Sequence, residues 1–316
     1  MEEKYLLRGE NTFHLAPFKY PWAYTMVQNS LSNHWHPQEL SMGSDKACYE
    51  RDLSADEKHL FENVFATLTT ADLAIASNLT ERLYEKIKAA EVKLYLGRQI
   101  SEEILHSFSY QHIIEVIGLD QEETYTRYQR IPAIADWFAL AKTEYENPND
   151  LLLPMIFQFA IFEGVFFMTG FAAIYALHRI GKMSGTAQQI QYIHRDESMH
   201  IAFGIKLLNE IFHEMGEHPQ VDEVFDLFDR SIAALDVWAD YCVPTILGYN
   251  AALHKQHSRY LADRRLQQLG YPKLYGVAEA LPWLDAQASI RKEKNFFESK
   301  VTEYQSAGAL QWGDDD

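Results

Sequence analysis

The chain has 316 residues and a mass of 36.6 kDa, with 47% hydrophobic and 23% charged residues. That apolar share supports one large core and excludes intrinsic disorder, while 15 Gly and 10 Pro are too few for an all-β chain of many tight turns. The net charge of −17 argues against a duplex nucleic-acid partner, and two cysteines, Cys48 and Cys242, cannot build a disulfide framework.

The N-terminal stretch MEEKYLLRGE begins acidic and lacks an apolar run, so no secretory signal is expected. With so few cysteines, this points to a cytoplasmic location. The first 50 residues, with Pro17, Pro21 and Pro37, read as irregular or only partly helical. A long helix is expected over 55–88, with Ser54 as N-cap and Glu57 completing a capping box. A second covers 91–117 and stops at Gly118; a third covers 152–180 and stops at Gly181. A fourth covers 186–215 before Gly216, a fifth 220–256 with a kink at Pro244, and a sixth 258–269 before Gly270. Strand alternation is absent. The expected architecture is all-α: one helical domain over 1–295 and a flexible tail over 296–316, ending SAGALQWGDDD.

Residues 151–177, LLLPMIFQFAIFEGVFFMTGFAAIYAL, carry one formal charge, at Glu163. The length suits a membrane span. A mid-span glutamate, no second such segment and no flanking Lys/Arg belt favour instead a helix buried on all sides of a bundle. Its single acid then needs a partner.

Glu103-Ile-Leu-His106 and Glu197-Ser-Met-His200 each place a carboxylate and an imidazole at i, i+3 on one helix face. Each pair has an acid on the preceding helix, Asp72 before Glu103 and Glu163 before Glu197, at nearly equal separations. Glu210 and His213 match the same spacing but sit at a solvated helix end beside Glu214 and Glu217. The chain therefore repeats one plan twice: acid, turn, then the ExxH pair. Four inward carboxylates and two histidines form the ligand set of a carboxylate-bridged di-metal site in a four-helix bundle. Oxygen and imidazole donors suit iron or manganese, and the cations would neutralise acids otherwise costly to bury together.

Tyr110 lies one turn beyond His106, on the ligand side of its helix. Phe167, Phe171 and Ile193 fall on the same faces and would make a dry apolar shell. Asp196, beside Glu197, faces sideways and suits an acceptor for a ligand histidine's free N–H.

These residues resemble the small, radical-generating subunit of class I ribonucleotide reductase, with its ferritin-like four-helix core. The likeness runs through NHWHPQEL at Trp35, TLTTADL at Asp72, SEEILHSFSYQ at Glu103, His106 and Tyr110, and IFEGVFFMTGF at Glu163. It is strongest in IHRDESMHIAFG at Glu197 and His200, and ends in LADRRL and KNFFESKVTEYQ. The resemblance implies that Asp72, Glu103 and His106 hold one metal and Glu163, Glu197 and His200 the other. It implies a radical on Tyr110, formed when the reduced metals meet dioxygen. The radical would pass through Trp35 and Asp196, and then Tyr304, to a large catalytic subunit onto which the tail docks. A homodimer follows from the same resemblance. YPWAY, HRIGKM, Tyr192 and the tail look closest to a subgroup with a manganese–iron centre, which has Phe in place of Tyr110 and Glu in place of Asp72. Here both positions are of the tyrosyl type, so the reading is Fe/Fe, with Mn/Fe and Mn/Mn left open.

The competing readings are a di-metal ligand-binding oxidase or oxygenase of the same fold, a metal-only manganese variant, an iron-storage protein and a helical scaffold. The oxidase needs the same six ligands but neither the tryptophan–aspartate pair nor a tail tyrosine.

Overall fold

The computed structural model describes residues 5–11, 13–146 and 151–289, and among these every regular element is helical. In chain order they are α1 Pro21–Ser32, α2 Asp45–Arg51, α3 Ala55–Asn78, α4 Ala90–Ile117, α5 Gln121–Thr126 and α6 Pro132–Tyr145. There follow α7 Leu152–Ile156, α8 Met168–Arg179, α9 Ser184–Met215, α10 Val221–Cys242, α11 Ala251–Gln268 and α12 Leu284–Ala288. Two stretches are π-helical: Leu79–Leu83 continues α3, and Phe157–Phe167 joins α7 to α8 into one rod, Leu152–Arg179. Tyr304 and the tail expected over 296–316 lie outside the described residues.

Four rods make the bundle. α3 packs on α4 and on α8, and α9 packs on α4, on α8 and along the π-helical stretch. α10 and α11 cover the outer side of that stretch, and α1 lies across α4 and α9. This is a ferritin-like core with additional helices. The apolar segment anticipated as a possible membrane span is buried inside it from Pro154 to Leu177. Phe157, Phe159, Phe162 and Phe167 have no exposure. α9 comes so close that a Cβ on Gly204 would meet Phe159 Cγ at 2.0 Å.

Local chemistry sets the helix ends. Ser54 Oγ accepts the Glu57 N–H at 3.2 Å while Glu57 Oε2 accepts the Ser54 N–H at 2.7 Å, the capping box read from the sequence. α4 and α9 end on Gly118 and Gly216, whose positive φ values of 83° and 67° suit residues without a Cβ. The N-terminus of α9 is capped from elsewhere. The buried Asp45 carboxylate takes the N–H groups of Gly185 at 3.0 Å and Thr186 at 2.6 Å.

Three expectations need correction. The helix placed over 55–88 leaves α winding at Asn78 and closes with the π turn. The kinked helix over 220–256 is two helices, because Val243, preceding Pro244, is driven into an extended conformation and Asn250 caps a new start by accepting the Leu253 N–H. The helix placed at 258–269 is therefore the latter part of α11. Helices α5 and α6 fill a region to which no element was assigned, although Asp120 as a cap and Pro132 at a helix start signal both.

Candidate metal centre

Each bundle rod supplies side chains to one buried cluster. α3 contributes Asp72, α4 contributes Glu103 and His106, the π-helical stretch contributes Glu163, and α9 contributes Glu197 and His200. All six have no solvent exposure. The i, i+3 spacing brings each histidine against its own glutamate; the bundle then brings the two pairs together.

Two compact groups result, with ligand atoms mutually within 4.8 Å: Asp72, Glu103 and His106, and Glu103, Glu197 and His200. Glu103 belongs to both. Glu197 also spans the histidines, with Oε1 3.0 Å from His106 Nδ1 and Oε2 3.3 Å from His200 Nδ1. Glu163 belongs to neither group. Its Oε1 accepts the Gln99 amide at 2.9 Å and the Gln158 amide at 2.7 Å.

The electrostatics show what the cluster wants. Burial lifts the Asp72 carboxyl well above the usual carboxylate range, with Glu103 adding to it. Burial and Glu197 do the same to Glu163. Glu197 goes the other way: burial works against its charge, but His200 and His106 outweigh it and hold it low. Burial would lower both imidazoles, yet carboxylate partners win and hold them well above their usual value, Asp196 first for His106 and Glu197 first for His200. Even so, both oxygens of Asp72, both of Glu103 and Glu163 Oε2 are buried without an aligned hydrogen-bond donor, and Glu197 Oε1 and His106 Nδ1 have only each other. No lysine or arginine pairs with any of these acids among the described residues. Unpaired buried carboxylates are costly. Two cations would satisfy them, and oxygen plus imidazole donors fit transition ions of the iron and manganese kind.

The histidines are held from outside. Asp196 Oδ2 lies 3.4 Å from His106 Nε2 and accepts the Trp35 indole N–H at 2.7 Å. Trp35 is buried, with the Tyr192 ring centroid 5.3 Å away. Glu102 Oε2 lies 3.0 Å from His200 Nε2, and its other oxygen accepts the Ser30 hydroxyl at 2.6 Å and pairs with Arg98 at 3.0 Å. Tyr110 is wholly buried, and the Phe65 ring meets its ring edge-on at 6.0 Å. Its phenol is raised well above its usual value by burial and by Asp72, which faces it without alignment for a hydrogen bond.

The sequence-chosen residues within the described chain all meet here, except that Glu163 is turned onto two amides. Sequence reasoning missed Glu102, Gln99 and Gln158. The acidic doublet Glu102-Glu103 was a signal for the first; Gln99, one turn before Glu103, was one for the second.

The family profile for the ribonucleotide reductase small chain matches residues 12–282. The chain is 34% identical to the ribonucleoside-diphosphate reductase subunit beta of Chlamydia pneumoniae, over 94% of this chain and 91% of that protein. It is 28% identical to the small subunit of the Dictyostelium discoideum enzyme, over 97% and 90%. The fold is similar to the ribonucleotide reductase R2 subunit of Clostridium botulinum, with a TM-score of 0.80 at 24% identity, covering 90% of this chain and 94% of the other.

Proposed function

Since this chain is a member of the ribonucleotide reductase small-chain family, we propose that it builds and holds the oxidising equivalent with which a large subunit starts the reduction of ribonucleoside diphosphates. Asp72, Glu103 and His106 would hold one metal ion, and Glu163, Glu197 and His200 the other. When bound, the pair supplies a redox couple that dioxygen oxidises, leaving a one-electron vacancy for the protein to fill. We assign iron to both positions on the strength of Tyr110 and Asp72; manganese in one or both is the second reading, supported by YPWAY and HRIGKM.

Tyr110 is proposed as the store. Burial keeps its phenol protonated, so its electron and proton must leave together, and Asp72 is the carboxylate beside it. Phe65 covers its ring, and the buried Phe167, Phe171 and Ile193 keep the surrounding bundle dry. Asp196 would then couple the centre to Trp35, taking the indole proton as the ring gives up an electron. Tyr304 as the last station and the tail as the docking segment rest on the resemblance. A homodimer is supported by exposed apolar side chains on neighbouring helices, Leu73 on α3 with Ile104 and Phe108 on α4.

The contact running from His106 through Asp196 to Trp35 carries this reading, since a di-metal oxidase needs no such exit. The test is reconstitution of metal-free protein with ferrous iron and dioxygen, followed by electron paramagnetic resonance. A tyrosyl signal is expected in the wild type and none in Tyr110→Phe. Trp35→Phe should keep the signal and lose about two orders of magnitude in turnover with the large subunit. A signal that survives Tyr110→Phe overturns the assignment of the store.

A further inference from the structure

A cavity of about 240 Å³ opens on the surface between the end of α3 and the end of α6. Asn78, Glu81, Tyr145 and Glu146 are among its lining residues. Through Asn78 it is linked to Glu163, the proposed ligand that stands apart from both compact groups. The Asn78 amide donates to Gln158 Oε1 at 2.8 Å, and the Gln158 amide donates to Glu163 Oε1 at 2.7 Å. The Tyr145 phenol, last residue of α6, is raised by burial and then by Glu163 and Glu103, so the cavity's inner wall feels the cluster directly.

The oxygens along this line are unusual. Asn78 Oδ1, Gln99 Oε1, Tyr145 Oη and Glu163 Oε2 are all buried without a hydrogen-bond partner. Buried polar atoms normally have one. Three unpartnered oxygens, two of them on residues that line the cavity, accompany the free carboxylate oxygen of Glu163 and make a set of hard donors. Such donors replace the water of a divalent cation a few ligands at a time. The backbone is also irregular here: Asn78 is the last α residue before the π turn of α3, and Gln158 and Glu163 share the π-helical stretch. π turns of this kind recur at functional sites.

We propose that this cavity is the inlet through which divalent metal ions reach the centre, with Glu163 as the first carboxylate they meet and Asn78 and Gln158 as the relay that holds it facing the inlet. The inference deepens the two-metal reading and rests on it. Glu81 and Glu146 at the mouth offset the charges of Arg82 and Lys142, so the entrance does not repel a cation. A cavity lined by Arg264 and Arg265 with Glu279 and Asp285 is equally balanced in charge, and one lined by Asp120, Glu122, Glu123 and Arg130 is more acidic, but among the described residues neither is joined to Glu163 by an Asn–Gln relay.

The test is the rate at which the full-length metal-free chain captures manganese(II), followed by loss of the free-ion paramagnetic resonance signal after rapid mixing. Ser77→Trp blocks the mouth from an exposed position, and Asn78→Leu removes the first oxygen. Each should slow capture about tenfold, and Ser77→Trp, which alters no member of the relay, should leave two ions bound per chain at equilibrium. Gln268→Trp, in the cavity lined by Arg264 and Arg265, should capture at the wild-type rate. Circular dichroism establishes that each variant is folded. Full two-ion capture at the wild-type rate by both Ser77→Trp and Asn78→Leu overturns the inlet alone. A wild-type chain that binds no divalent ion overturns the two-metal reading, and the inlet with it.

Discussion

Glu102 and His200 meet at 3.0 Å, carboxylate Oε2 against ring Nε2, while the next residue, Glu103, lies 3.2 Å from the other nitrogen of the same ring. Two consecutive acids on one helix thus straddle one imidazole on another. Only Glu103 can share a metal with His200. Glu102 fixes the ring's tautomer and direction, and is itself held by Ser30 and Arg98.

Glu102→Gln should therefore weaken metal binding without touching a ligand. Outer carboxylates on metal-bound histidines are worth about 10- to 100-fold in affinity. Equilibrium titration with manganese(II) measures this directly. An unchanged dissociation constant would show that the Glu102 contact is incidental.

The metal-free chain should lose stability as pH rises above about 6.5. His106 and His200 have folded values above the ordinary imidazole value of about 6.5. Their contribution is complete below that value and fades as pH climbs through the raised ones. Asp72 and Glu163, also raised, act in the same direction, because ionising them in the closed cluster is opposed by burial. Glu197 and Asp196 are lowered, so their loss comes only under acid conditions. Calorimetric melting in the presence of a chelator should fall across this window, and manganese(II) should flatten the profile while releasing protons to an indicator dye. A melting temperature that climbs as pH rises above neutrality in chelator would contradict the assigned shifts.

Gly204→Ala should destabilise the bundle. The added Cβ would overlap the Phe159 ring, with Cγ at 2.0 Å and Cδ1 at 2.2 Å, deep in the core where neither rod can retreat cheaply. Overpacking of this kind costs about 1–3 kcal/mol, or roughly 2–4 °C in melting temperature per kcal/mol for a chain of this size. An unaltered melting temperature would mean that the two rods slide more freely than their packing implies.

Much of the centre was legible because helical periodicity is a local code. Glu103 with His106, and Glu197 with His200, are visible as spacing alone, and Asp72 and Glu163 become meaningful as the acids that precede them. What stayed hidden depends on neighbours distant in sequence. The Glu102–His200 contact joins α4 to α9, and Asp45 caps α9 from α2. The π winding around Glu163 was hidden for another reason. FQFAIFEGVFF is apolar on every side, so it has no periodicity from which a change of winding could be read. The division between α10 and α11 was readable: Pro244 was noticed, but treated as a bend when the extended Val243 makes it a stop.

That wide winding over Phe157–Phe167 has a consequence for the chain's length as well as its chemistry. A π turn holds an additional residue within each hydrogen-bonded loop. Deleting one residue between Gln158 and Glu163 would let the stretch close to ordinary α winding, in which a spacing of four still keeps the amide and the acid on one face. The closing of the wide turn would absorb much of the shift for the side chains that follow. A frame-preserving deletion in this segment should therefore be tolerated better than the same deletion in the regular winding of α9, which has no surplus residue to give up.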